Sequence, residues 1–192
     1  MNSRPLQFFF LSVILGSTFA AGETQALASC RCVVTDVDGD RLSTFDGHVT
    51  LVVIVPRARE LDARLLADRV PKQYYGDPHV RLVTIVNFGG RTFRSLEGVA
   101  NVLIRRRLDA EAQRLRPIYD ARKLKRDPRH DLFVVADFDG QTSVRFGVPA
   151  ETAGTTVLVF DGAGRLIERW SDVPAADGLA AALAQADQSA PH

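Results

Sequence analysis

Cysteine is nearly absent from this chain: Cys30 and Cys32 are the only two, too few for a disulfide framework or a four-cysteine zinc site. Histidine is scarce as well. His48, His79, His130 and His192 stand far apart, with no H-E-x-x-H or paired Cys/His spacing, so no metal centre is indicated. There is no G-x-S-x-G elbow and no G-x-x-x-x-G-K-S/T phosphate loop, which removes the sequence grounds for a serine hydrolase or a P-loop NTPase. An excess of one charge is also missing. The formal net charge is +1, so whole-chain electrostatics give no reason to expect nucleic-acid binding. The apolar stretch Leu6 to Ala21 is broken by Ser12, Gly16, Ser17 and Thr18, short of the roughly 20 apolar residues that span a bilayer.

What is present at the N-terminus is the layout of a secretory signal peptide over residues 1–28. Arg4 precedes the apolar core, and Ala26-Leu27-Ala28 forms an A-x-A cleavage site before Ser29. Such a protein is periplasmic or secreted and keeps no transmembrane helix after processing. Leu27-Ala28-Ser29-Cys30 also reads as a lipobox, which would make Cys30 a lipid-anchored N-terminus. Charged Glu23, between the apolar core and the box, argues against that reading. Residues 29–192 then suffice for one domain with a single core.

Val33–Val37 and Arg41–Ser43 flank Asp38-Gly39 and predict a hairpin. The alternation Asp36, Asp38, Asp40 does not make a calcium loop, because Gly39 precedes the third carboxylate instead of following it. Thr50–Val55 is a continuous β-branched run, the composition of a strand buried on both faces. Arg57 to Val70 places Leu61, Leu65 and Val70 at near-helical spacing and predicts an amphipathic helix with those residues inward. Val80–Asn87 predicts a second strand. Two apolar stripes follow, Leu96, Val99, Ala100, Leu103 and then Leu108, Ala112, Leu115, Tyr119, with Pro117 expected to kink the helix or begin a new turn. Leu132–Ala136, Thr156–Phe160 and Arg165–Trp170 predict further strands, and Ala175–Ala186 a closing helix.

Strands with interposed helices imply a three-layer α/β/α arrangement with a mixed central sheet. The order of elements resembles an N-terminally extended thioredoxin-like domain. Phe146-Gly147-Val148 with Phe160-Asp161-Gly162-Ala163-Gly164-Arg165-Leu166-Ile167 resembles that superfamily's G-V and D-x-x-G-r-i phrases, and Asp38-Gly39, Leu42-Ser43 and Asp46-Gly47 its entry segment. The likeness covers Val33 to Ala186, and Thr84–Asn87 with Val157–Arg165 is similar to the exported YtfJ-type group. The resemblance implies a Cys-x-x-Cys or a peroxidatic cysteine after the first central strand, and a cis-proline before the penultimate one. This chain has Pro56-Arg57-Ala58-Arg59-Glu60-Leu61-Asp62 at the first place and Gly154-Thr155 at the second.

The expectation is therefore a redox-silent binding or accessory module of the bacterial envelope, not a redox enzyme of the usual thioredoxin or peroxiredoxin type, and without a cofactor. Residues 105–129 hold ten Arg or Lys against four acidic residues. Within them Arg105, Arg106 and Arg107 are candidates to bind an unidentified protein or an anionic envelope component, although such a run is often just the solvated side of a helix. Arg59, Glu60 and Asp62 read as an acid/base cluster or, more simply, as an exposed first turn with Glu60 and Arg64 paired. Phe88-Gly89-Gly90-Arg91 reads as an anion nest or a plain turn. The candidate thiols are Cys30 and Cys32. In the alternative expectation they serve a thiol-disulfide oxidoreductase or antioxidant protein, since a Cys-x-Cys ring is short and strained and Arg31 favours thiolate. They could equally form an inert local disulfide or pair with another chain.

Overall fold

The structure, a computed structural model, describes residues 29–89 and 97–189. The signal-like segment, Leu96 and the Gly90-Arg91 half of the suggested nest lie outside them. A five-stranded sheet runs through the middle, in the order β5-β4-β3-β6-β7. Its centre, β3 (Val49–Pro56), is buried at every position but the last, as a β-branched run with no polar alternation requires. β4 (Val80–Asn87) pairs parallel to β3, and β5 (Leu132–Asp137) parallel to β4. The crossovers are α1 (Glu60–Arg69) and α2 (Glu97–Ala121). On the other side β6 (Thr156–Phe160) runs antiparallel to β3, and β7 (Leu166–Trp170) antiparallel to β6.

Alternation along the strands divides the core between two faces. Val49, Leu51, Val53 and Val55 meet Leu66 of α1, Val70 just after it, and Leu179 and Leu183 of α4 (Ala176–Gln188). Both parallel crossovers step in the same direction across the sheet, and their common right hand sets α1 and α2 on this same face. The opposite face, with Val52, Ile54, Val83, Ile85, Leu158 and Phe160, is covered by Val34, Leu42, Phe146, Val148 and Cys30. That cover consists of a hairpin, β1 (Val33–Thr35) and β2 (Arg41–Ser43), and a short helix α3 (Gln141–Arg145) with the turn after it. The layers, the mixed sheet and the N-terminal hairpin agree with the α/β/α expectation.

Four local differences have physical causes. The first hairpin strand ends at Thr35, because the Val37 N–H donates instead to the Val134 carbonyl on β5, at 2.9 Å. On α1 the inward side is Leu66 and Val70, whereas Leu61 and Leu65 are 74% and 44% exposed. On α2 the second stripe is buried as expected, but Val99 and Leu103 of the first face outward, and the helix continues through Pro117. Helix α3 was not expected at all. It is capped from the strand before it: the buried Asp137 carboxylate accepts the N–H of Ser143 at 2.7 Å and of Thr142 at 3.2 Å, and the Ser143 hydroxyl at 2.7 Å.

Tyr119 ends the buried stripe of α2. Its hydroxyl donates to Asp131 at 2.5 Å, and burial together with that carboxylate pushes the phenol above its ordinary pKa.

Candidate functional site: the Cys30–Cys32 disulfide and the vacated junction

Cys30 and Cys32 are joined to each other by a disulfide. The two residues are held by one threonine and one glycine. The Thr44 hydroxyl accepts the Cys32 N–H at 3.1 Å and donates to the Cys30 carbonyl, and the Thr44 N–H donates to the Cys32 carbonyl at 3.1 Å. The Cys30 N–H donates to the Gly164 carbonyl at 3.1 Å. Gly164 has φ +81°, and a Cβ there would stand 3.1 Å from Phe45 Cβ and 3.2 Å from the Cys30 carbonyl oxygen, so the glycine admits both the turn and the close approach.

Both sulfurs lie 3.5 Å from the Arg145 carbonyl oxygen at the end of α3. In the reduced state this oxygen, with two lone pairs, is an acceptor for the thiol protons. The sulfurs are not equivalent. Cys30 is 6% exposed and packs into the sheet's second core layer, whereas Cys32 is only partly buried. Arg31 between them is exposed, with its guanidinium 5.2 Å from the centre of the Phe45 ring.

The junction where the resemblance implies a cysteine is elsewhere. A cleft of about 460 Å³ is lined there by Pro56, Arg57, Ala58, Asn87, Phe88, Gly89 and Thr152. The Asn87 side chain is its floor, donating to Ser143 Oγ at 2.9 Å and the Ala150 carbonyl at 3.0 Å and accepting the Gly89 N–H at 2.7 Å. Beside it, Asp62 accepts from the buried Thr155 hydroxyl at 2.5 Å and pairs with Arg59 at 2.9 Å, which ties α1 to the start of β6. Glu60 pairs with Arg107 of α2, not with Arg64. Both carboxylates already bind partners within the fold, which is the structural reading of the Arg59, Glu60, Asp62 turn. No peptide bond among the described residues is cis, and Gly154-Thr155 occupies the place of the implied proline.

The disulfide and this cleft are far apart. Gly164 lies beyond Phe160, which registers with Thr50, while the cleft begins at Pro56, six strand residues further along. At about 3.3 Å per residue that is roughly 20 Å.

Of the candidate binding residues, Arg105 is bound to Asp38 and the Val37 carbonyl, and Arg107 to Glu60. Only exposed Arg106 has no side-chain partner among the described residues, so the triplet does not form one free cationic patch. Asp36 Oδ1 accepts the N–H groups of Asp38 and Asp40 at 2.9 and 2.8 Å, and Asp38 pairs with Arg105 and Arg129. Among the described residues no group of His, Cys, Asp or Glu is arranged to hold a metal, and no helix is long and apolar enough to cross a membrane. Thr44, Gly164 and Arg145, which position the sulfurs, went unrecognised in the sequence. Gly164 and Arg145 lie more than a hundred residues from Cys30, and nothing local marks the contact.

No protein-family model and no curated protein matches the chain. Solved structures do. The fold is similar to the pneumococcal exposed lipoprotein thioredoxin of Streptococcus pneumoniae, with a TM-score of 0.51 and 18% identity over 80% of this chain and 98% of that one. It is also similar to a putative thioredoxin of Neisseria meningitidis, with a TM-score of 0.52 and 14% identity over 84% and 91% of the two chains. A third is the dsbF protein of MTB, solved in mixed oxidised and reduced forms, with a TM-score of 0.50 and 13% identity over 83% and 98%.

The narrower likeness to the YtfJ-type group rests on sequence phrases alone. The expectation of a redox-silent module is corrected, because the chain holds a formed disulfide with one sulfur partly open, displaced from the usual junction. Strand order, α1, α2 and α4 on one face with α3 and the hairpin on the other, and these structural likenesses together give the chain the thioredoxin-like fold.

Proposed function

We propose that this protein is a thiol-disulfide oxidoreductase whose exchanging pair is Cys30 and Cys32. The observation that carries the reading is the asymmetric disulfide: one sulfur open to an attacking thiolate, the other buried, and the backbone of both clamped through Thr44 and Gly164. Exchange proceeds by in-line attack of a thiolate on a sulfur and departure of the other sulfur as thiolate. Access selects Cys32 as the sulfur attacked and Cys30 as the one that leaves. A dithiol substrate is then oxidised to its disulfide while the protein gains two electrons and two protons as Cys30 and Cys32 thiols. The reverse reaction reduces a substrate disulfide. That the similar folds include a thioredoxin and a dsbF solved in two redox forms supports the assignment.

A disulfide of this kind persists in an oxidising compartment, which, with the signal-like segment at residues 1–28, supports export as one domain to the periplasm or beyond. The same bond excludes simultaneous lipidation of Cys30, since the sulfur has one valence to give. The test is insulin reduction driven by a small dithiol, with wild type and Cys32→Ser side by side. Wild type is expected to accelerate precipitation of the reduced chains and the variant to match the protein-free control. Equal rates in wild type and variant would contradict the assignment.

A further inference from the structure

Two arginines attend the disulfide and neither has a carboxylate partner among the described residues. Arg31 is the residue between the cysteines, exposed, and its only described partner is the face of Phe45. Arg145 supplies the carbonyl that both sulfurs touch, and it is exposed at the end of α3. The nearby acidic residues are engaged elsewhere: Asp46 by Arg81 and His48, and the fully buried Asp161 by Arg165. The open sulfur therefore has one of these arginines, Arg31, beside it in the chain and the main chain of the other, Arg145, against it. Both side chains are exposed and long enough to turn a guanidinium toward a ligand held at Cys32.

Resting on the exchange reading, we propose that this site selects anionic thiols, small molecules or peptide segments that carry a carboxylate close to the sulfur, with Arg31 and Arg145 as the specificity-determining residues. The thiolate attacks Cys32 Sγ, and the new bond joins the substrate sulfur to Cys32. The bond to Cys30 breaks, and the Cys30 sulfur takes a proton from water and directs it to the Arg145 carbonyl. A second substrate thiolate attacks the substrate sulfur of the mixed disulfide. It releases the oxidised substrate dimer and the Cys32 thiolate, which is then protonated. Two substrate thiols are oxidised and one protein disulfide is reduced, so electrons and protons balance. The guanidinium groups form no bond in either step. They raise the local concentration of the anionic reactant and hold its carboxylate beside the sulfur.

The experiment follows reduction of the oxidised protein, by alkylation and intact mass, with three related thiols: mercaptopropionate, mercaptoethanol and cysteamine. Each rate is divided by that of the same thiolate on an uncharged reference disulfide, so that intrinsic nucleophilicity cancels. Mercaptopropionate is expected to lead mercaptoethanol by on the order of tenfold, with cysteamine slowest. The lead should collapse at about 1 M ionic strength, where screening acts beyond about 3 Å, and again in the Arg31→Gln, Arg145→Gln double variant. The salt series uses the wild-type protein alone, so the test stands whether or not the variant folds. Equal normalised rates for the three thiols, or a lead that survives salt, overturn the proposed selectivity and leave the exchange reading intact. Failure of every thiol to reduce the protein overturns the exchange reading as well.

Discussion

With Cys32 replaced by serine, the remaining thiol at Cys30 is expected to react with a maleimide in native buffer at least about ten times more slowly than Cys32 does in the Cys30→Ser protein. Cys30 is 6% exposed and belongs to the layer formed by Val52, Ile54, Leu158 and Phe160, so a reagent reaches it only when the packing around it opens locally. Cys32 needs no such opening. The difference should vanish in denaturant, where both thiols see water alike. The same asymmetry predicts that Cys30→Ser traps partner thiols as stable mixed disulfides on Cys32, because no second sulfur is present to resolve them. Equal native labelling rates would contradict the division of roles between the two sulfurs.

Leu66→Ala is expected to cost about 2–5 kcal/mol of stability, the range for deleting a leucine side chain from a packed core. Leu66 is 0% exposed and lies among Val53, Val55, Val157 and Leu183. Leu61→Ala, five residues earlier on the same helix, is expected to stay within about 0.5 kcal/mol of wild type, since Leu61 is 74% exposed. Denaturant unfolding of the two variants measures both. A large loss at Leu61 and none at Leu66 would mean that α1 is docked on its other side.

That pair of leucines shows what a single sequence tells and what it withholds. Leu61, Leu65 and Val70 make one near-helical set and Asp62, Leu66 and Val70 another, and both fit a helix with arginines facing water. Only the sheet decides between them, by placing Thr155, just before β6, where Asp62 can accept its hydroxyl and Val53 and Val55 where Leu66 can bury. The strands were far more legible. A continuous β-branched run such as Thr50–Val55 has few alternatives to a buried strand, and the stripe Leu108, Ala112, Leu115, Tyr119 faces the core as its spacing predicts.

The outward position of Val99 and Leu103 on α2 has a geometric cause. Ala100, Ile104 and Leu108 continue the buried stripe of Ala112 and Leu115 at four-residue steps, with Ile104 and Leu108 packed on Val134 of the sheet. Val99 and Leu103 each stand one residue earlier, about 100° round the helix, and so face outward. Helix α3 is five residues long, too short to carry a period, and depends on the Asp137 carboxylate for its cap.

The site was half legible. The Cys-x-Cys pair and the empty corner at Pro56–Asp62 are plain in the sequence, but the empty corner points to a redox-silent module, which the formed disulfide corrects. What the sequence does not carry is the long-range placement: Gly164 and Arg145 brought against Cys30 by the return of the chain after β5. This placement turns two neighbouring cysteines into a clamped disulfide with one accessible face.

The central claim is that Cys30 and Cys32 form a reversible two-electron couple, and the most direct measurement is an equilibrium redox titration. The full-length protein is poised in buffers of graded dithiol-to-disulfide ratio, quenched with an alkylating mass tag and weighed intact. The account predicts that both cysteines gain the tag together in a single transition, fitted by a two-electron Nernst slope, a tenfold change in the equilibrium constant for about every 30 mV. A protein that carries both tags in every buffer, or neither in any, or that reduces one cysteine independently of the other, would contradict it.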